Sequence, residues 1–258
     1  MKGILFIGHG SRLNHNKDAI ELQAKALKER TGLPVWTAYN ETTMPLVDTV
    51  LEEMVKAGVD EIIALPFFIA SGLHITRDIP KKLNIPENSS GGKTVIAGKE
   101  VIVHFEQPLG NDPNLTDILE ERIKDLCSDK NAAIVVVGHG SRLSHNKDVV
   151  GMNVERLKKR GHSNVYLALN EFNEPFLKDV MVKVVDSGVS NIVVLPLFIA
   201  SGAHVGEEIP ETLGIPAGSK GGVSKVFGRD VNIHYAMPVG RDPRLVDILV
   251  KKLEKYGI

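Results

Sequence analysis

Ile4-Leu5-Phe6-Ile7-Gly8-His9-Gly10-Ser11-Arg12 stands near the start of the sequence, and Ile134-Val135-Val136-Val137-Gly138-His139-Gly140-Ser141-Arg142 restates it. A short continuous apolar run ending at glycine is the signature of a strand buried on both faces. The offset of 130 residues from His9 to His139 holds without insertion or deletion at every later landmark. It relates Asn40-Glu41 to Asn170-Glu171, Pro66 to Pro196, His74 to His204, and Asp112-Pro113 to Asp242-Pro243. The chain is a tandem duplication, and each half is read against the other.

Outward from the first run, Ile20, Ala24 and Leu27 fall at helical spacing within 15–30, and Thr31-Gly32 stops the pattern. A second strand spans Val35 to Tyr39. Pro45 suits the first turn of a helix, which Leu46, Val50 and Met54 continue to Gly58. Glu61 to Leu65 is a third strand, and the apolar loop from Pro66 to His74 leads to a short helix near Ile79-Pro80. Residues 84–99, rich in Gly, Ser and Lys, read as a surface loop. A fourth strand covers Val101 to Phe105. Asp112 as N-cap and Pro113 at the first helical position then begin a helix towards Cys127, and Asp242-Pro243 does the same in the second half.

Four strand–helix alternations per half predict an α/β protein of two tandem Rossmann-like domains, each a four-stranded parallel sheet flanked by helices. The repeat places the domains at 1–129 and 130–258, with the junction near Ser128-Asp129-Lys130-Asn131. Each has the roughly 100–150 residues of a typical domain and can bury its own core.

Of the 258 residues 43% are hydrophobic and 24% charged, and the formal net charge is −1, so nothing global points to nucleic acid or to an acidic membrane surface. No apolar run approaches the ~20 residues of a membrane span, and the strand-like run so near Met1 leaves no room for a signal sequence. Cys127 is the only cysteine, which excludes a disulfide framework and a Cys-based zinc site and fits a reducing cytoplasm.

Ligands of open parallel sheets bind beyond the carboxyl ends of the strands. His9, Asn40-Glu41, His74 and His104 fall there, with counterparts in the second half. Gly-His-Gly-Ser-Arg reads equally as a tight turn whose glycines permit close backbone approach, with Ser11 capping a helix. It lacks the Gly-Lys-Ser/Thr ending of a phosphate loop, and Ser11 lacks the Gly-x-Ser-x-Gly setting of a hydrolase nucleophile. Two imidazoles and one carboxylate suit a borderline divalent metal such as cobalt, nickel, iron or zinc. His15 and His145 read as exposed on a first helical turn, and His104 and His234 as packing residues.

These motifs resemble those of the class II chelatases, which insert a divalent metal into tetrapyrroles, and among them the CbiX-type sirohydrochlorin chelatases. The resemblance spans both halves. It is carried by Gly-His-Gly-Ser-Arg, by Glu41-Thr42-Thr43-Met44-Pro45 and Glu171-Phe172-Asn173-Glu174-Pro175, by Pro66 to His74 with Ile79-Pro80, and by Pro238 to Leu245. Short members of that family are single repeats that pair as homodimers, so the resemblance implies two such subunits fused into a monomer with internal pseudo-twofold symmetry. It implies metal ligands at His9, His74 and Glu41 and at His139, His204 and Glu171, with His9, Glu41 and His74 catalytic. Tetrapyrrole contacts are expected at Ser11, Arg12, Phe68, Ser71 and Arg77, with the apolar loop at Phe67 to Ala70 facing the ring. The implied activity is insertion of cobalt or nickel into sirohydrochlorin, with no cofactor beyond the metal substrate. The alternatives are iron insertion for sirohaem, or a non-catalytic metal or tetrapyrrole carrier.

The halves differ in charge. Between His74 and Leu83, Arg77, Lys81 and Lys82 against Asp78 give +2, whereas Glu207, Glu208 and Glu211 between His204 and Leu213 give −3. A polycarboxylate tetrapyrrole is expected to prefer the first half, unless these charges are only solvated helix faces.

Overall fold

The computed structural model describes residues 1–11 and 15–258, and the side chains of these except 15 and 16. The first repeat runs β1 (Lys2–Gly8), α1 (His15–Thr31), β2 (Val35–Tyr39), α2 (Val47–Lys56), β3 (Glu61–Pro66), α3 (Ile79–Lys82), β4 (Gly91–Ile96), β5 (Lys99–Phe105) and α4 (Pro113–Leu126). The second runs β6 (Ala133–Gly138), α5 (His145–Lys159), β7 (Val165–Leu169), α6 (Leu177–Asp186), β8 (Asn191–Pro196), α7 (Ile209–Leu213), β9 (Gly221–Ser224), β10 (Val231–Tyr235) and α8 (Leu245–Leu253).

Each repeat forms one five-stranded sheet, in the orders β2-β1-β3-β5-β4 and β7-β6-β8-β10-β9. The four strands expected in each half are present and parallel, and β4 and β9 add a fifth, antiparallel to β5 and β10. This corrects the reading of 84–99 as a loop. Ile96 pairs with Lys99 across Ala97-Gly98, both at positive φ, which is the two-residue hairpin turn whose twist matches the strands. The strand is an exposed edge, so its polar, glycine-rich composition hides it from hydrophobic patterning.

β1 is buried along Gly3–Gly8 because it lies between β2 and β3 with helices on both faces, hence its unbroken apolar run. One core layer of the first sheet joins Leu5 and Ile7 to Val50, Leu51 and Met54 of α2 and to Ile79 and Leu83. Val135 and Val137 with Val180, Met181 and Val184 repeat it in the second sheet.

By contact the chain forms two compact units: Met1–Leu109 with Gly240–Ile258, and Gly110–Val239. The sequence repeat changes over near 129, whereas each compact unit is completed by the other repeat's last helix. In the first unit α8 packs on α1, and Gln23 Nε2 donates to the carbonyls of Gly240 (3.1 Å) and Asp242 (2.7 Å). In the second α4 packs on α5, and the equivalent Asn153 donates to Gly110 O (3.0 Å) and accepts from Thr116 Oγ1 (2.8 Å).

Two expected helix starts shift. Pro45 lies outside α2: it follows a cis bond, and its carbonyl accepts from Tyr39 N, so it extends the end of β2 and the helix begins at Val47. Asp112 caps α4 as expected, accepting from Asn114 N at 2.9 Å. Asp242 also accepts from Arg244 N, but the Arg244 guanidinium folds back on the same carboxylate and α8 begins only at Leu245. Among the described residues no helix is long and apolar enough to cross a membrane.

Candidate metal centres

In the first unit Asn40 N donates to Gly8 O (2.9 Å) and Glu41 N to His9 O (3.1 Å), so the β1–β2 pairing continues past the strand ends and sets His9 beside Glu41. Gly10 makes that approach possible: its φ is +93°, and a Cβ there would lie 1.7 Å from Glu41 O. Ser11 N donates to Thr43 Oγ1 (2.9 Å), and that hydroxyl donates back to Ser11 O (2.8 Å). Ser11 therefore fastens the Glu41 loop through its backbone.

His74 begins a π-helical turn, His74–Asp78, that runs into α3. π turns recur at functional sites because the wider turn re-aims side chains. Here it brings His74 Nδ1 to 2.9 Å from Asp78 Oδ2, with the amide of buried Asn40 3.0 Å from the same nitrogen. A neutral imidazole that donates from Nδ1 to this carboxylate keeps its lone pair on Nε2, the arrangement that orients a metal-binding imidazole. Burial opposes the charge on Asp78, but the hydrogen bond and charge of Arg77, then those of His74, hold its carboxyl below the ordinary value.

His9, Glu41 and His74 thus converge, with one ligand atom from each within 4.8 Å of the others. The imidazole centroids are 4.7 Å apart and nearly perpendicular at 81°. His139, Glu171 and His204 reproduce the cluster in the second unit, with rings 4.6 Å apart at 85°. Gly140, at φ +85°, again lies against the backbone of its glutamate. His204 Nδ1 meets Glu208 at 2.6 Å; that bond, then against a burial penalty the bond from Asn170 and the charges of His204 and His139, lowers the Glu208 pKa.

The remaining expected site residues are placed unequally. Phe68 lies behind His9, ring centroids 5.9 Å apart, and is only 9% exposed. Phe67 and Ile69 are also buried, so this loop mostly joins the core instead of offering a flat apolar face. Met44, three residues after Glu41, and Leu73, next to His74 in sequence, are exposed apolar side chains that no periodicity marks. Ser71 is half-buried, and Arg77 is exposed with Nε donating to Asp78 at 2.9 Å. Arg12 lies outside the described residues, as does the side chain of His15. His145 is exposed at the start of α5. His104 bonds Glu61 (3.2 Å) and packs on Tyr256, and His234 bonds Asn191 (3.2 Å); both are packing residues as read. Asp78, the carboxylate partner of His74, is not marked by the motifs, although its position four residues after His74 on a helical turn is the available signal.

A family model described as CbiX matches residues 3–126 and again 133–256. The chain belongs to the CbiX family. Relatives of this CbiX chain include the sirohydrochlorin cobaltochelatase of Methanococcoides burtonii, 40% identical over 125 residues that cover 48% of this chain and 95% of that protein. The sirohydrochlorin cobaltochelatase of Methanosarcina barkeri is 36% identical over 124 residues, with the same coverage. Half of this chain therefore corresponds to a whole relative, as a duplication requires. Among solved structures, SirB from Bacillus subtilis with Fe3+ has a TM-score of 0.80 at 20% identity, covering 98% of this chain and 94% of that one. CbiX of sirohaem biosynthesis from denitrifying bacteria has a TM-score of 0.65 at 16% identity, covering 98% of each. At those identities the likeness is one of fold.

Proposed function

We propose that this chain inserts a divalent metal ion, cobalt or nickel, into sirohydrochlorin. The observation that carries the reading is the convergence of His9, Glu41 and His74 at the carboxyl edge of the sheet, in a CbiX-family chain related to sirohydrochlorin cobaltochelatases. Insertion requires the macrocycle to lose two pyrrole N–H protons while the metal exchanges its ligands for ring nitrogens. Two neutral imidazoles and a carboxylate are borderline donors that hold cobalt or nickel and leave coordination positions open. Glu41 is exposed beside the two imidazoles, and in this reading its carboxylate also accepts a ring proton.

Around that centre, Arg77 with Lys81 and Lys82 supplies cations for the carboxylates of the macrocycle, and Ser11 and Ser71 add polar contacts. Phe68 supports the His9 ring from behind, while Met44 and Leu73 offer apolar surface to the ring. The metal is a substrate, and no further cofactor is invoked. The duplicated repeat suits a monomer, and the lone Cys127 suits the cytoplasm.

Mixing the purified chain with sirohydrochlorin and cobalt, nickel or ferrous ions in turn, and following the absorption spectrum, tests the reading. Acceleration is expected with cobalt or nickel, and no acceleration over the spontaneous reaction with any metal overturns it. Glu41→Gln is expected to keep metal binding and lose turnover; full turnover in that variant removes Glu41 as the proton acceptor.

A further inference from the structure

The two ligand clusters match in geometry and differ in what surrounds them. Three charged positions on the segment carrying each histidine change at the fixed offset of 130: Arg77 becomes Glu207, Asp78 becomes Glu208 and Lys81 becomes Glu211. Lys82, whose Nζ donates to Asn40 O, becomes Thr212. The changes lie where a ligand would meet them. Arg77, Lys81, Glu207 and Glu211 are all exposed, and in the first unit Lys81 and Lys82 line, with Asn40 and the carboxylates of Glu41, Asp48 and Asp78, an open cleft of ≈ 490 Å³.

We infer that the two sites take different ligands: the first unit takes the polycarboxylate macrocycle together with the metal, and the second takes a divalent cation alone. This rests on the chelatase reading above for the identity of the macrocycle. The ligand set of the second unit is complete, with His139, Glu171 and His204 each offering a donor atom within 4.8 Å of the others. Its two added carboxylates, Glu207 and Glu211 in place of Arg77 and Lys81, with Glu208 keeping the charge of Asp78, raise the local attraction for a dication and repel an anionic ring, and like charges facing each other are a recognised means of excluding a ligand. Conserving the imidazoles while reversing the rim separates metal capture from macrocycle binding.

The test counts equivalents on the intact chain, by calorimetry with cobalt(II) chloride and by absorption titration with sirohydrochlorin at low salt. Wild type is expected to bind two cobalt ions and one sirohydrochlorin, and the His139→Ala, His204→Ala double variant one cobalt. Charge reversals at exposed positions keep the test independent of folding. Arg77→Glu with Lys81→Glu should weaken sirohydrochlorin binding roughly tenfold or more, an effect that shrinks as salt screens it. Glu207→Arg with Glu211→Lys should create a second sirohydrochlorin equivalent. Two equal sirohydrochlorin equivalents on wild type, or an unchanged cobalt count after removal of His139 and His204, overturn the inference. Failure of the chelatase reading looks different: the binding pattern stands while metal insertion is absent.

Discussion

The two His-Glu-His clusters of this chain match closely in internal geometry and differ in sign of charge along the segments that carry His74 and His204. Ring separations of 4.7 and 4.6 Å and interplanar angles of 81° and 85° repeat because buried backbone sets them: the β1–β2 and β6–β7 extensions, and the close approach of Gly10 and Gly140 to their glutamate loops. Arg77, Lys81, Glu207 and Glu211 sit on exposed faces where substitution costs little stability, so charge there is free to diverge. The fold preserves the geometry of the donor atoms, while the charge of the rim beside them differs between the units.

The largest effect expected from this comparison is on turnover. His74→Ala removes a ligand of the first cluster and should lower the rate of metal insertion by more than the roughly 10–100-fold typical of losing an outer-shell partner. His204→Ala should cost much less turnover while removing one bound cobalt equivalent. Equal rate losses in the two variants would erase the functional distinction between the units.

A second pair probes what the units share. Gly10→Ala puts a methyl group into Glu41 O at a backbone φ of +93°, and Gly140→Ala does the same against Glu171 at +85°. Each should destabilise its unit by about 1–3 kcal/mol and displace its own glutamate. Because Gly10 and Gly140 also adjoin His9 and His139, the imidazole moves with the turn, and cobalt calorimetry should then lose one strong site in either variant. If Gly10→Ala left both strong sites and the denaturation midpoint unchanged, the backbone contact would not be what fixes the cluster.

Which parts of this were legible beforehand follows from how each residue is held. The apolar runs of β1 and β3, and the repeat itself, report burial directly, and the donors His9, Glu41 and His74 stand where strands end. Edge strand β4 was hidden because an exposed edge needs no apolar alternation, and its turn residues, Ala97-Gly98, are weaker than the usual Asn-Gly signal. Met44 and Leu73 were not found because exposure is a tertiary property. The packing of α8 on α1 and of α4 on α5 was invisible for a similar reason: the two repeats have nearly the same pattern, so sequence cannot say which copy of a helix covers which copy of a sheet.

The smallest expected difference lies in the helix pairs that close each unit. Arg30 makes one exposed ion pair with Asp247 across α1 and α8 (2.8 Å), whereas its counterpart Arg160 joins both Asp117 (2.6 Å) and Glu120 (3.1 Å) across α5 and α4. Burial opposes the charged form of Glu120, but hydrogen bonds from Arg160 and Lys124, then their charges, hold its pKa below the ordinary 4.5. Arg160→Ala is therefore expected to cost about 1 kcal/mol and Arg30→Ala about 0.5 kcal/mol or less. Because the folded pKa of Glu120 is depressed, its contribution is present above pH 4.5 and is lost as pH falls through the lower folded value. Urea denaturation at neutral pH and at successively lower pH should show the cost of Arg160→Ala shrinking with acidification, while that of Arg30→Ala changes less. A cost for Arg160→Ala that grew on acidification would mean that the network contributes through something other than the ionised carboxylate.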